Sequence, residues 1–325
     1  MRYWIVIILI IVMIRVGYWK LKPNVSSHRE VAIGNSIWDK SLYKARIYFQ
    51  SKLFHWLPGD SGNLASGILL GGDDSLSYGA KLAFRRTGLS HVLAASGYNV
   101  VVITGFVMGL GNRIFGKKRG LMFGMVCTIL YMYLAGMSIP VIRAGLMAVW
   151  GFTGLYLGRK SDGWWSLFMI SVIMLLFRPE WFFEISWQLS VAATIAVLLV
   201  GKDNGVWDDL RISVSAWVIT LPLILYYFGQ MSLIAPIANL LVLWVVPTAM
   251  EISGLALIAG LVWDQAGQAV ALISWPLLSY MLFLVKLISG WEYSSLEVGR
   301  VNIGFVAIYY LVIGLWVVRS NRTWE

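Results

Sequence analysis

The chain predicts an all-α fold, a polytopic helical membrane protein. From Gly88 onward, apolar stretches of membrane length follow one another almost to the C-terminus, among them Gly88 to Arg113, Gly120 to Met137 and Val141 to Leu157. Each approaches the roughly 20 residues that an α-helix needs to cross about 30 Å of hydrocarbon, and helices satisfy their own backbone polar groups there. Composition agrees: the 325 residues are 59% hydrophobic and 13% charged, with a mean hydropathy of +0.74, whereas soluble domains carry about a quarter charged residues. About ten crossings are expected, one of them a discontinuous helix, together with an amphipathic interfacial helix.

In chain order, Met1-Arg2 followed by the apolar run Tyr3 to Ile14 predicts a first transmembrane helix over residues 1–19. Arg15 interrupts the run and no small-residue cleavage pattern precedes Lys20, so this helix reads as uncleaved. Residues 20–88 form a basic extracytoplasmic segment with ten Lys/Arg against five acids. Within it Ile37, Leu42, Tyr43, Ile47, Phe49, Leu53, Phe54 and Trp56 interleave with Asp39, Lys40, Lys44, Arg46 and Lys52 at roughly helical spacing, the pattern of the interfacial helix. Leu64 to Leu70 is too short to span and ends in the turn sequence Gly71-Gly72-Asp73-Asp74, which predicts a re-entrant or surface piece.

Residues 89–319 make the main membrane domain and 320–325 a cytoplasmic tail. Arg113, Lys117, Lys118 and Arg119 cluster without an acid, and Arg159-Lys160 follow two crossings later; both belong inside. Alternation then puts Met137 to Pro140, Arg178 to Glu184, Gly229 to Ser232 and Gly290 to Gly299 outside. It puts Gly201 to Arg211, Asp264 to Gly267 and the Arg319/Arg322 tail inside. Ala235 to Val262 is long for one span and contains Pro236 and Pro247, which remove backbone donors, so a bent or discontinuous helix is expected there. The formal net charge of +10 has a topological explanation and is no nucleic-acid signal by itself.

Function has to come from polar residues that hydrocarbon rejects. Gly88 to Val100, GLSHVLAASGYNV, carries His91, Ser96 and Asn99; on an unbroken helix they fall within an arc of about 140°. They fit the wall of a wet cavity, and they equally fit helix-to-helix hydrogen bonding. Ser96-Gly97 also offers a break that would aim free N–H groups at an anion. Arg143 either snorkels or faces the bundle interior, where it needs a partner or water; Glu184, Glu251 and Asp264 are the available acids, and a structural ion pair and a contact to substrate both fit. Gln188, Ser190 and Asn239 add further polar groups. Three histidines, one cysteine (Cys127) and no HExxH or Walker sequence leave no metal site and no cofactor to expect.

Leu82 to Val100, LAFRRTGLSHVLAASGYNV, resembles the signature of the ComEC-type competence family, close to AFRRTGLxHLLAISGLHV. PVIRAGLM (Pro140 to Met147), WQLS (Trp187 to Ser190), LPLILYYFGQMSLIAPIANLL (Leu221 to Leu241) and Pro247 resemble later family motifs in the same order. The resemblance implies a bacterial plasma-membrane channel, not an enzyme, that translocates single-stranded DNA to the cytoplasm. Its implied path is His91, Ser96, Asn99, Arg143, Gln188, Ser190 and Asn239, with Lys81, Arg85 and Arg86 at the entrance. Trp38, Tyr43, Phe49, Trp56 and Tyr98 offer stacking faces for bases or belong to the interfacial aromatic belt. Implied partners are single-stranded DNA, membrane lipids, a separate nuclease and DNA receptor outside, DNA-handling proteins inside, and a second copy of the chain.

Departures from the family pattern are Asn99 for its final His, Ala95 for Ile and Tyr98 for Leu. An OB-like domain does not fit in residues 20–60 and no metallo-β-lactamase-like domain follows the channel part, so a channel domain alone is expected. Two rivals stand beside it: a membrane enzyme acting on lipid-linked substrates through Arg143 and His91, and a non-conducting scaffold for a separately encoded nuclease.

Overall fold

The computed structural model describes residues 2–21, 37–72, 76–93, 95–201 and 208–321. The first helices are α1 (Arg2–Leu21), α2 (Ile37–Trp56), α3 (Asp60–Leu70), α4 (Tyr78–Arg86) and α5 (Ser90–Leu93). Longer ones follow as α6 (Gly97–Phe115), α7 (Lys117–Leu134), α8 (Ile139–Tyr156), α9 (Gly163–Phe177), α10 (Ile185–Val200) and α11 (Asp208–Phe228). The chain continues through α12 (Ala235–Val242), α13 (Val245–Val262), α14 (Asp264–Ser289) and α15 (Ile303–Asn321). The fold is all-α apart from two-residue strands. Five helices, α6, α8, α11, α13 and α14, are long and apolar enough to cross a membrane, and α9, α10 and Ile303–Leu315 are shorter apolar helices. Length and composition of the described helices therefore do not confirm the expected count of about ten crossings.

Two apolar clusters hold the bundle. One joins α2 to α5 with α12 to α14 around Leu53, Phe84, Leu89, Met250 and Met281. The other joins α1 with α6 to α10 around Val100, Val141, Met174 and Trp187. Ile103 of α6 packs against both.

The long segment Ala235 to Val262 is discontinuous, as its prolines demand. Pro236 sits in the first turn of α12, and Pro247 sits in the first turn of α13. A proline there is tolerated in its own helix, but its ring opposes the carbonyl four residues back, here Leu243, where α12 ends.

Gly88 to Arg113, one apolar stretch in the sequence, is broken at Ser96-Gly97 and again before it. α4 ends before Gly88, α5 is a single turn, and α6 begins only at Gly97 with Ser96 as its N-cap. His91 thus lies on a different helix from Ser96 and Asn99, which removes the shared arc.

The apolar piece before Gly71 is interior. Nine of the eleven residues of α3 are buried, and Gly62 and Gly67 bring it against the backbone: an added Cβ would lie 2.7 Å from Leu53 O and 3.0 Å from Leu93 O respectively. Gly71 and Gly72 end it with φ of 76° and 99°; Asp73 and Asp74 lie outside the described residues.

Strand β1 (Gln230–Met231) pairs antiparallel with β2 (Leu296–Glu297). The loops around them share one end of the bundle, as alternation requires. Elsewhere alternation fails. Lys52 Nζ donates to Asp264 Oδ1 at 2.6 Å, so α2 and the α13–α14 turn lie at one depth, although the count placed one outside and the other inside. α3 is eleven residues long and buried, and α12 is eight residues long and separated from α13; neither short helix has the length of a crossing, and counting apolar stretches does not register such pieces.

Candidate nucleic-acid path

The corner between α4 and α5 is built by its own sequence. Ser77 caps α4 by accepting from Ala80 N–H at 3.3 Å, and its hydroxyl donates to Asp60 Oδ2 at 2.7 Å. At the other end Leu89 N–H donates to Phe84 O at 2.9 Å and Gly88 N–H to Arg85 O at 3.2 Å. Those two bonds, with Gly88 at φ 74°, make a Schellman motif, and Phe84 and Leu89 form its apolar contact. Both are fully buried. Thr87 is buried beside them and donates Oγ1–H to Ala83 O and Phe84 O at 3.0 and 3.1 Å. A Cβ on Gly88 would stand 2.7 Å from that of Ala235 on α12.

This corner sorts the segment into two faces. Phe84, Thr87, Leu89, Val92 and Leu93 lock inward, while Arg85, Arg86, Ser90, His91 and Tyr98 are exposed. Neither Arg85 nor Arg86 pairs with a carboxylate among the described residues. Lys81 is partly buried and already interacts within the protein. The His91 Nδ1–H donates to Gly88 O at 3.2 Å, because a carbonyl can only accept; in the neutral ring Nε2 is then the acceptor. His91 is open to solvent yet crowded by protein, and the lost bulk water pushes its imidazole below the ordinary value of 6.5. The ring is neutral at pH 7.

Ser96 and Asn99 are engaged with each other and with α3. Ser96 Oγ accepts from Asn99 N–H at 3.4 Å and donates to Asn99 Oδ1 at 3.0 Å. Asn99, only 1% exposed, donates Nδ2–H to Ile68 O at 2.7 Å. Tyr131 O–H of α7 donates to Leu69 O at 2.9 Å, and Arg46 Nη2–H of α2 donates to Gly71 O at 2.8 Å. A helix leaves its last carbonyls without internal partners. Here side chains from three other helices supply them, and that is how a short helix is held in the interior.

Arg143 of α8 is buried at 5% exposure. Its Nε–H and Nη2–H donate to Ser190 Oγ of α10 at 2.9 and 2.8 Å, and Nη1–H to Met147 Sδ at 3.3 Å. The acids expected as partners are corrected: Asp264 pairs with Lys52, Glu184 is the exposed cap residue of α10, and Glu251 makes no ion pair with Arg143. Gln188 is also engaged, donating Nε2–H to Phe182 O at 3.0 Å and accepting from Tyr227 O–H at 3.1 Å. Asn239 stands apart on α12 with Oδ1 buried and unpartnered.

The residues named from sequence therefore form two groups. Arg85, Arg86 and His91 share an open face, while Ser96, Asn99, Arg143, Gln188 and Ser190 are joined to protein partners around the start of α6 and α10. Tyr131 and Thr87 escaped sequence reasoning. A Thr-Gly-Leu following a basic helical turn is a legible Schellman signature, and it places Thr87. Nothing local marks Tyr131.

A family model described as "Competence protein" matches residues 68–323. ComE operon protein 3 of Bacillus subtilis (strain 168) is 26% identical over 215 residues, covering 62% of this chain and 26% of that protein. Competence protein ComA of Neisseria gonorrhoeae is 25% identical over 237 residues, covering 66% and 33%. An uncharacterized protein of Aquifex aeolicus (strain VF5) is 32% identical over 163 residues, covering 49% and 37%. The chain spans between about a quarter and just over a third of the length of these curated relatives. No solved structure matches.

Proposed function

Because the chain belongs to the competence protein family, we propose that it serves DNA uptake as a multi-pass channel part of a bacterial inner membrane, passing single-stranded DNA to the cytoplasm. The observation that carries this reading is the open polar face of α4 to α6 within the family-matched segment. Arg85 and Arg86 meet phosphate without a competing carboxylate, His91 offers a neutral Nε2 acceptor, and Tyr98, 43% exposed, offers a ring on which a base can stack.

The engaged residues set the wall on which that face is mounted. Asn99 and Tyr131 fix α3 against α6 and α7, and Ser190 fixes Arg143 between α8 and α10. Weak, multiple contacts suit a strand that must also leave. The driving force and any nuclease step come from other proteins, a DNA receptor and nuclease outside and DNA-handling proteins inside.

Proteoliposomes loaded with a single-strand-binding protein as a trap test the reading. Labelled single-stranded DNA is expected to accumulate inside at a rate well above that of protein-free vesicles, with loss in Arg85→Ala/Arg86→Ala. Equal accumulation in the two vesicle types refutes conduction by this chain.

A further inference from the structure

Among the described residues Arg143 is the one charged side chain that is fully buried, and no carboxylate pairs with it. A guanidinium has five N–H bonds; three are engaged with Ser190 and Met147, and the other two have no acceptor among the described residues. Ser190 Oγ spends its lone pairs on Nε–H and Nη2–H, and its own O–H donates to nothing described. One turn earlier on α10, Trp187 is 8% exposed and its Nε1–H is buried without a partner.

The same guanidinium lies against the start of α6. A Cβ on Gly97 would stand 3.5 Å from Arg143 Nη2 and 3.3 Å from the Cβ of Ala144, so glycine is what lets the cation reach the helix end. Ser96 Oγ and O accept from Asn99 and Val100 N–H, which leaves the Gly97 and Tyr98 N–H groups of the first turn without acceptors among the described residues. Donors and positive potential collect here from α6, α8 and α10, while the acceptors beside them, Ser190 Oγ and Asn99 Oδ1, are already engaged and carry no charge. A buried cation without counter-charge is strongly unfavourable, and this surroundings is completed by an anion with several acceptor oxygens.

We propose that Arg143, Ser190 and the first turn of α6 form a binding site for a phosphate oxyanion. Phosphate matches the guanidinium fork and the free N–H groups of a helix start. A carboxylate side chain would satisfy the charge, but none among the described residues pairs with Arg143. The oxyanion comes from a strand phosphodiester, from free phosphate or from a lipid headgroup; only the first source rests on the uptake reading.

The test follows Trp fluorescence melting of the whole chain in phosphatidylcholine nanodiscs. Its three arms are inorganic phosphate, a single-stranded oligothymidylate in an Arg85→Ala/Arg86→Ala background, and nanodiscs containing phosphatidylglycerol. At least one arm is expected to raise the melting midpoint by several degrees, with the rise lost in Arg143→Gln and partly kept in Arg143→Lys. Should Arg143→Gln not fold, Ser190→Ala decides: it is expected to weaken the oxyanion's apparent affinity several-fold by freeing the guanidinium from its orientation. No rise in any arm, or a rise undiminished in the Arg143 and Ser190 variants, overturns the site. Failure here with intact strand flux leaves the uptake reading standing, and Arg143-dependent stabilisation without flux leaves the site standing.

Discussion

Removing Arg85 and Arg86, the proposed entrance arginines, should change how strand binding responds to salt, and the structure sets the expected size of the change. Arg85 and Arg86 are exposed in the last turn of α4, and neither is neutralised by an acid among the described residues. Each can therefore neutralise one phosphate. Lys81 is left out of the sum because it already interacts within the protein. For single strands, log K falls with log salt by about 0.7 per phosphate neutralised. Arg85→Ala/Arg86→Ala should accordingly flatten the slope by about 1.4. Between 50 and 200 mM salt the wild-type protein would lose about 7-fold more affinity than the double variant. Both charges also favour the C-terminus of α4 by about 0.3–1 kcal/mol each, so helix content has to be checked by circular dichroism. Fluorescence anisotropy of a labelled oligothymidylate, titrated against the protein in neutral nanodiscs across that salt range, gives both slopes. Equal slopes in the two proteins, with the variant folded, would remove Arg85 and Arg86 from the strand's route.

Three further outcomes are expected. Gly88→Ala should lower the melting midpoint, since an alanine at φ 74° costs about 1–2 kcal/mol and its Cβ would press on Ala235; a wild-type melt would show that the corner tolerates a side chain. Asn99→Ala leaves the Ile68 carbonyl buried without its donor, a loss of about 1–3 kcal/mol. Asn99→His, which restores an N–H, should recover part of it, and denaturation midpoints that rank the two variants equally would dismiss the capping role. His91 has a folded pKa below 6.5, so the unfolded chain binds its proton first as pH falls. Its contribution is then lost on acidification through the range just below the unfolded value. Acidifying from pH 7.5 to 5.5 should destabilise the wild-type protein more than His91→Gln, and parallel losses in thermal melts would refute a crowded neutral imidazole.

How far the sequence reached differs from residue to residue. Pro247 announced the break at Leu243 because a proline's effect is confined to its own turn. Ser96-Gly97 marked the start of α6 for the same reason, as an N-cap residue before a helix. The misread stretch was Gly88 to Ser96. Its apolar content suggested continuity, while the left-handed Gly88 and the Schellman bonds to Phe84 and Arg85 stop the helix there. The partner expected for Arg143 was an acid because charge balance was the one criterion available; the folded chain supplies a serine, and no described carboxylate compensates the charge.

By itself the sequence determined the helical membrane class, the family and the breaks at Ser96-Gly97 and Pro247, since each of these is written within a turn or two of chain. Tertiary structure alone decided that Asn99 reaches Ile68 on α3, that α3 lies inside the bundle, that Lys52 meets Asp264 and that Arg143 faces Ser190. The reason is physical. In a membrane protein both lipid and core are apolar, so hydropathy does not fix how each helix is rotated, and packing of small and polar residues does. Which polar groups face one another is therefore settled only when helices distant in the chain are brought into contact.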